Sequence, residues 1–282
     1  MPSHAEPDSL RHLGFRMYAP SPTLASVVQC YWQVRCALKG EEAAVEYLYA
    51  KGGMGMVFNF ADTPHFDGSP MSAPALFDGT NSGAKRFSAT GTVHILGVRF
   101  HPGGAYPVTG IPLHELAHAP LALDELVLDV GGNLYATLCD CLDTEQRIGL
   151  LEQWLWGRIE ARQGLHATTR EALGQLQAQQ GRIEIGTLCD QLAIGRRRLE
   201  RRFKREIGIS PKYYARLLRV EQARQLLKQP VLSNLADVGY GAGFYDQSHF
   251  NHEFKTLVGL TPYAYRERKR LVPAASFQAA AN

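Results

Sequence analysis

The tetrapeptides Gly208-Ile209-Ser210-Pro211 and Gly259-Leu260-Thr261-Pro262 lie 51 residues apart in the last third of the chain. The dipeptide Phe203-Lys204 returns at the same offset as Phe254-Lys255, and the apolar residues upstream match at an offset of 50. Self-similarity at a fixed offset indicates that one supersecondary unit is present in more than one copy. We therefore expect two copies of a single unit between about residues 183 and 268.

Each copy predicts two helices joined by a tight turn, because its apolar residues recur three and four positions apart. Gly195 permits the turn in the first copy, and Gly241 and Gly243 permit it in the second. Gly208 and Gly259 then end the second helix of each copy. The residues expected on the buried face of that second helix are Leu199, Phe203 and Ile207 in the first copy and Phe250, Phe254 and Val258 in the second.

A long helix is expected to connect the two copies. Ser210-Pro211 and Thr261-Pro262 each combine an N-cap residue with a first-turn proline. The helix that begins after the first pair, over about residues 212–228, would be roughly 25 Å long. Two units held that far apart could place their second helices in successive major grooves of a duplex, which are roughly 34 Å apart.

The outward faces of the two second helices predict a protein that reads DNA. Arginine can bind guanine, glutamine or asparagine can bridge adenine, and glutamate can accept from cytosine. We expect the cationic first unit to supply more affinity and the polar second unit to adjust sequence choice. The candidate DNA-binding residues are Arg196, Arg197, Glu200, Arg201, Lys204, Gln247, Ser248, Asn251, His252 and Lys255.

The distribution of charge points to the same partner. Residues 1–166 hold 11 Lys and Arg against 17 Asp and Glu, whereas residues 167–282 hold 19 against 10. A basic region of this kind gains free energy by displacing counterions from phosphates, although surface charge also serves solubility. Double-stranded DNA is therefore the expected partner of the C-terminal third.

The C-terminal third resembles the DNA-binding domain of the AraC/XylS family of bacterial transcription regulators. The segments 243–255 and 259–266 match the family signature almost position by position. The resemblance implies two helix-turn-helix units in adjacent major grooves and a regulator, expected to be an activator, that works with RNA polymerase. It also implies that the positions of Arg197, Arg201, Gln247, Ser248 and His252 face the bases. Two departures stand out: Gly195 lacks the side-chain cap often present there, and Glu200 would repel phosphate unless it meets a cytosine.

The N-terminal part predicts a β-rich domain, with strands at about 27–36, 45–50, 55–61 and 92–100. The segments 18–22, 30–33 and especially 96–105 are similar to the cupin-like N-terminal domains of a subgroup of these regulators. In the wider family such domains bind small effectors and dimerise, so a small-molecule effector and a homodimer are expected here. The matching motifs identify no ligand-binding residue.

Large aromatic residues in this domain have two interpretations. They could line an apolar ligand cavity, or they could pack the core, which is favoured because a β domain of this size needs large side chains inside. The residues concerned are Tyr31, Trp32, Tyr47, Tyr49, Phe58 and Phe60.

These patterns divide the chain into four expected segments. They are a β-rich sensory or dimerisation domain at 1–125, a helical linker or dimerisation segment at 126–166, the DNA-binding domain at 167–270 and a disordered tail at 271–282. The expected fold class is therefore α+β with two domains, a cupin-like domain followed by an all-α domain with two helix-turn-helix motifs. The linker's apolar stripe could pair with a second copy, but packing against its own β domain is favoured. The stripe consists of Leu134, Leu138, Leu142, Ile148, Leu151, Leu155 and Ile159.

An enzyme is the alternative, because residues 114–118 read His-Glu-Leu-Ala-His, the zinc-peptidase pattern. Pro112 and Pro120 limit this segment to about two turns, so a short surface helix is favoured. We expect no catalytic residue, metal or cofactor. A zinc metallopeptidase or cupin-like enzyme fused to a DNA-binding tail is the second hypothesis, and an effector-free regulator controlled by its own abundance is the third.

The remaining expectations concern location. No apolar run reaches the length of a membrane-spanning helix, and the first ten residues carry acids and prolines where a signal peptide would be basic and apolar. We therefore expect a cytoplasmic protein associated with the nucleoid and not with a membrane. The five cysteines include no CxxC and are expected to be reduced.

Overall fold

The computed structural model describes residues 13–38, 44–48, 52–79, 84–117, 120–126, 134–229 and 234–271, with the backbone alone for 44–48 and for the last two residues. The part before residue 127 consists mainly of two antiparallel sheets, and the part after residue 133 is helical. This confirms the α+β fold class. The expectations for the first ten residues and for the tail after residue 271 lie outside the described residues.

Six strands form the larger sheet, in the spatial order β1, β2, β9, β4, β7, β10. Their bounds are β1 Arg16–Tyr18, β2 Val28–Ala37, β4 Gly55–Asn59, β7 Ala75–Asp78, β9 Thr92–Phe100 and β10 Leu121–Ala122. The smaller sheet has the order β3, β8, β5, β6. Its strands are β3 Ala44–Leu48, β5 His65–Phe66, β6 Ser69–Pro70 and β8 Lys85–Ala89.

Strand β9 is covered on both faces, which explains why its apolar residues do not alternate with polar ones. Val93 and Ile95 pack between the two sheets against Phe87 of β8. Leu96 and Val98 face the other way, into a core shared with helices. Gly97 lies opposite Trp32, whose ring occupies the space that a Cβ at position 97 would need.

The aromatic residues of the β region pack its core where their side chains are described. Tyr31 and Phe58 are fully buried in the core between sheet and helices, and Trp32 stacks on Phe15. The side chains of Tyr47 and Tyr49 lie outside the described residues. Core packing, the favoured interpretation, therefore accounts for the buried members of the set.

Helices α2 (Leu134–Asp140) and α3 (Thr144–Glu160) cover the larger sheet. Leu138, Leu151 and Leu155 of the predicted stripe are fully buried in the core that includes β9. The stripe thus packs against its own β region, as favoured. Leu142 departs from the prediction, because it lies between the two helices and is 88% exposed.

Within the described residues, seven more helices follow the short α1 (Ala105–Thr109), α2 and α3. They are α4 Ala167–Ala178, α5 Ile185–Gln191, α6 Arg196–Ile207, α7 Pro211–Leu227, α8 Leu235–Gly241, α9 Gln247–Val258 and α10 Pro262–Leu271. The long connecting helix is α7, one residue out of step with the predicted 212–228. No helix in the described ranges has the length and apolarity to cross a bilayer.

The C-terminal end of α6 rests on the β region. Gly208 adopts a left-handed conformation, with φ of 94°, and a Cβ there would lie 2.7 Å from the Met54 methyl group and 3.4 Å from the Leu113 side chain. Ile207 lies beside Gly103 in the same contact. The first helix-turn-helix unit is therefore packed against the N-terminal region at one end of its second helix.

Candidate nucleic-acid interface

Two helix-turn-helix units share the connecting helix α7. Helices α5 and α6 form the first unit, in which Leu199, Phe203 and Ile207 are fully or almost fully buried with Tyr214 of α7. Helices α8 and α9 form the second. Its core residues Phe250, Phe254 and Val258 pack with Leu217, Val220, Ala223 and Leu227 of α7. The buried faces predicted from the spacing of apolar residues are confirmed.

The two second helices begin differently. Gly195 precedes α6 with φ of −64° and ψ of 140° and makes no side-chain cap. Asp246 precedes α9, and its Oδ1 accepts a hydrogen bond from the backbone N–H of His249 at 2.7 Å. The first unit therefore lacks one stabilising interaction that the second has. Ser210 and Thr261 act as N-caps, as expected, and accept from Tyr213 and Ala264.

The candidate residues of α6 are available to solvent. Arg196, Arg197, Arg201 and Lys204 are exposed. The Glu200 side chain is 39% exposed, and its Oε1 lies 3.3 Å from Nε of Arg196, one turn earlier. This pair places a positive charge beside the carboxylate and reduces the repulsion that an isolated Glu200 would exert on phosphate.

The candidate residues of α9 are also accessible. Gln247, Ser248, His252 and Lys255 are exposed, and Asn251 is half-buried. The helix carries only Lys255 and Glu253 as ordinary charged residues, whereas α6 carries seven Arg and Lys and two Glu. The contrast between a cationic and a neutral polar helix is therefore present in the folded protein.

Sequence reasoning omitted Arg198 and Arg205, which are exposed on α6. At 3.6 residues per turn these two positions lie about as far from the buried Leu199 and Phe203 as Lys204 and Arg197 do. Helical periodicity was the signal that could have found them. Near the second unit, Tyr240, Tyr245 and Tyr263 are exposed aromatic side chains that the repeat alone did not single out.

An ionic network fixes α9 to α7. The buried Glu253 accepts a hydrogen bond from Nε of Arg216, and its second oxygen lies 3.9 Å from His249 Nε2. Burial lowers the pKa of Arg219 and the nearby Glu253 opposes that change. Because a carboxylate on the buried side of a helix needs a charged partner, this network positions α9 as well as stabilising it.

The zinc-peptidase pattern folds differently from expectation. A 3₁₀ helix of three residues, Leu113–Glu115, replaces the two-turn helix. Leu113 is fully buried while His114 and Glu115 are exposed, and His118 lies outside the described residues. Leu113 packs below the end of α6, so this segment serves the contact between the two regions. The described ranges contain no group of three or more His, Cys, Asp or Glu side chains placed to hold a metal ion.

Comparisons with known proteins match both regions. Residues 188–268 match a helix-turn-helix domain family, and residues 16–121 match a family described only as a domain of unknown function, DUF6597. The HTH-type transcriptional activator RhaR of Pectobacterium atrosepticum is 38% identical over 80 residues, which are 28% of each chain. The activator RhaS of the same organism is 30% identical over 113 residues, 40% of this chain and 39% of that one.

Among solved structures, an AraC-type transcriptional regulator from Chromobacterium violaceum is 28% identical with a TM-score of 0.34. The match covers 36% of this chain and 91% of that one. The chain spans less than two fifths of the length of either activator it matches. The similarity of sequence to these activators therefore covers a minority of the chain.

Proposed function

We propose that this chain is a member of the AraC/XylS family of transcription regulators through residues 188–268, and that it regulates transcription, as an activator, by binding specific double-stranded DNA. The observation that carries the proposal is the pair of exposed polar helix faces, on α6 and α9, supported by two cores that share α7. Since α7 has 17 residues, it is roughly 25 Å long. That length suits two units on one side of a duplex.

The proposal gives the candidate residues separate roles. Arg197 and Arg201 bind guanine edges, and Lys204 neutralises phosphate. Gln247 and Asn251 read adenine, and Ser248 and His252 add polar contacts at the adjoining bases. Glu200 keeps its ion pair with Arg196 when it faces phosphate. It breaks this pair only to accept a hydrogen bond from a cytosine. Lys255 binds phosphate beside the second unit.

The wider parts of the proposal follow from this role. The protein acts on the chromosome in the cytoplasm, contacts RNA polymerase, works as a homodimer on tandem sites and catalyses no reaction. The buried residues of the apolar stripe on α2 and α3 pack against the β region, so a homodimer uses another surface. If the helices of segment 126–166 take part in that dimer, they do so through their polar faces. The N-terminal region is the place for a small-molecule effector.

Selection from random duplexes followed by fluorescence anisotropy tests the proposal. The protein should enrich a bipartite sequence with its two parts about one helical turn apart. Affinity for the enriched duplex should fall steeply as salt rises, because several phosphates are neutralised. Failure to enrich any sequence, even in dilute buffer, would contradict the proposal.

A further inference from the structure

A polar groove lies between the first two strands of the larger sheet and the start of α3. It encloses about 540 Å³, within the range of small-molecule sites. Its lining includes Arg16, Tyr18, Gln33, Arg35, Asp143 and Glu145. None of them belongs to the helix-turn-helix units.

The sheet side of the groove is basic. In the antiparallel pairing of β1 and β2, Arg16 lies opposite Gln33 and Tyr18 lies opposite Tyr31. Because side chains alternate along a strand, Arg16, Gln33 and Arg35 lie on the same face as the core residue Tyr31. This face is thus apolar under α3 and becomes polar towards the groove. Among the described residues, neither arginine has an ion-pair partner within 4.0 Å.

The floor of the groove is a fixed chain of hydrogen bonds. Tyr18 donates to Oε1 of Gln33 at 3.1 Å, and Nε2 of Gln33 donates to Nε2 of His94 at 3.2 Å. Gln33 is only 5% exposed, so its amide is held in one orientation. Burial, with Arg147 and Arg35 nearby, lowers the pKa of His94 to about 4, which leaves the imidazole neutral at pH 7. The arginines therefore supply the positive charge of this wall.

The helix side of the groove is acidic. Asp143 caps α3, and its Oδ1 accepts from the backbone N–H of Gln146 at 2.8 Å while the second oxygen is not used by the cap. Glu145 follows in the first turn and is exposed. Neither carboxylate pairs with a described cation. Two positive and two negative groups thus line the same groove without forming an ion pair across it.

We propose that this groove binds a small zwitterion of the amino-acid class, with its carboxylate on Arg16 and Arg35 and its ammonium group on Asp143 and Glu145. A guanidinium group matches a carboxylate in a bidentate geometry, and carboxylates accept from an ammonium group. A simple anion would meet the repulsion of Asp143 and Glu145, and an apolar molecule would desolvate four charges without compensation. A molecule that carries one negative and one positive group can pair with the arginines of one wall and with the carboxylates of the other.

A ligand here has a physical route to the DNA-binding region, although its regulatory meaning depends on the proposed function. It would connect the sheet to the start of α3. Just beyond the other end of α3, Arg162 donates to the carbonyl oxygen of Val108. Further along, the backbone N–H of His166 donates to Oε2 of Glu206 in α6 at 3.0 Å. Movement of α3 relative to the sheet would therefore act on the segment that leads into the first unit.

The test uses the full chain and the standard L-amino acids, each added separately up to millimolar concentration in buffer of constant ionic strength. Thermal unfolding detects binding, and isothermal titration calorimetry measures the affinity of any amino acid that stabilises the protein. Sodium acetate and ethylamine hydrochloride represent the two halves of the zwitterion. We expect at least one amino acid to stabilise the protein saturably and neither half to do so alone.

Two variants assign the binding to the groove. Arg35→Gln and Glu145→Gln should each weaken that amino acid about tenfold or more, since each removes a charge-assisted contact. Arg86→Gln, which changes an exposed arginine on β8, is the matched control and should leave the affinity unchanged. The substituted positions are exposed, so all three variants are expected to fold, and circular dichroism checks that they do.

The possible outcomes are clearly separated. The proposal is rejected if no amino acid binds, if acetate stabilises the protein as much as any amino acid does, or if the groove variants bind as well as the control. DNA affinity measured without amino acid should be the same for all variants. A protein that binds an amino acid but no DNA would therefore contradict the proposed function and leave the ligand site established.

Discussion

Arg182, in the turn before α5, donates a hydrogen bond to the carbonyl oxygen of Gly241 at the end of α8. Its side chain also packs against Gly243, where a Cβ would lie 2.9 Å from Cγ of the arginine. From α7, Arg219 reaches back to the carbonyl oxygen of Gly181 at 3.4 Å while its guanidinium lies 5.6 Å from the centre of the Phe244 ring. Two arginines therefore join the first helix-turn-helix unit to the second.

These contacts predict that Arg182→Ala, alone or combined with Arg219→Ala, relaxes the spacing that the protein demands between its two half-sites. The connecting helix holds the distance between the units, and the arginines limit their relative rotation. The measurement compares affinities for duplexes whose half-sites are moved apart by single base pairs. We expect discrimination between the best and the next spacing to fall about tenfold, or about 1.4 kcal/mol.

Lys212→Ala is the matched control, because Lys212 is an exposed cation on α7 outside this contact. It should weaken all spacings alike or not at all. If the arginine variants lose affinity equally at every spacing, the contact is only stabilising and the prediction is wrong. The thermal unfolding temperature of each variant separates a change of stability from a change of geometry.

Arg201→Ala should weaken binding to the selected sequence more than binding to random duplexes. The loss of a bidentate guanine contact costs about 1 to 3 kcal/mol and relaxes specificity at one position. Lys204→Ala should weaken both duplexes alike and reduce the slope of log affinity against log salt by about one. Anisotropy titrations over a range of salt concentrations measure both effects. Equal losses and equal slopes for the two variants would show that Arg201 binds phosphate.

Gln247→Ala should change which bases are accepted at the second half-site with little effect on the salt slope. Gln247 is exposed at the first position of a helix with almost no net charge. Because glutamine is neutral, we expect any contact that it makes with DNA to be with a base. Repeating the selection with the variant measures the change in base preference. An unchanged preference would remove Gln247 from the set of base-reading residues.

Gly195→Ser should stabilise the protein by about 0.5 to 1 kcal/mol. The backbone at Gly195 already has the extended conformation of an N-cap, and a Cβ there would meet no atom within 4 Å. Serine adds the missing cap and reduces the freedom of the unfolded chain. Gly195→Ala supplies only the second effect, so its gain in urea unfolding should be smaller. Equal gains for both variants would contradict a capping role.

The sequence was sufficient to predict the helix-turn-helix units because their information is local. Apolar spacing set the buried faces of α6 and α9, and a glycine ended each helix, as at Gly208. The linking contacts of Arg182 and Glu253 escaped prediction because they join residues far apart in the chain, and no spacing rule reports such pairs. The prediction that Leu142 belongs to the buried stripe was wrong for a related reason. Leu142 continues the apolar period of α2 past the point where that helix ends.

In the β region, the strands were predicted from composition but their pairing was not. Arg35 and Asp143 come to the same groove only because β2 lies at the side of the sheet that the start of α3 covers. The 3₁₀ helix at Leu113–Glu115 was expected to be longer. The apolar residue Leu113 is drawn into the contact with α6, and this tertiary contact takes precedence over the local tendency to form a helix.

The lowered pKa of His94 predicts that the folded protein loses stability in acid. This pKa lies near 4 in the folded protein, mainly because the ring is partly buried, against an ordinary value of 6.5. Below pH 6.5 the unfolded chain binds a proton that the folded chain does not, so stability falls as the pH falls from 6.5 to about 4. Partial exposure of the ring limits this contribution to about 1 to 2 kcal/mol.

His94→Gln should flatten this dependence, because glutamine can keep a hydrogen bond to Gln33 and takes up no proton. His65→Gln, at an exposed position on β5, is the matched control and should follow the wild type. Urea unfolding at pH 7, 6, 5 and about 4 measures the difference. If the variant loses stability with the same slope as the wild type between pH 6.5 and 4, a group other than His94 takes up the proton on unfolding.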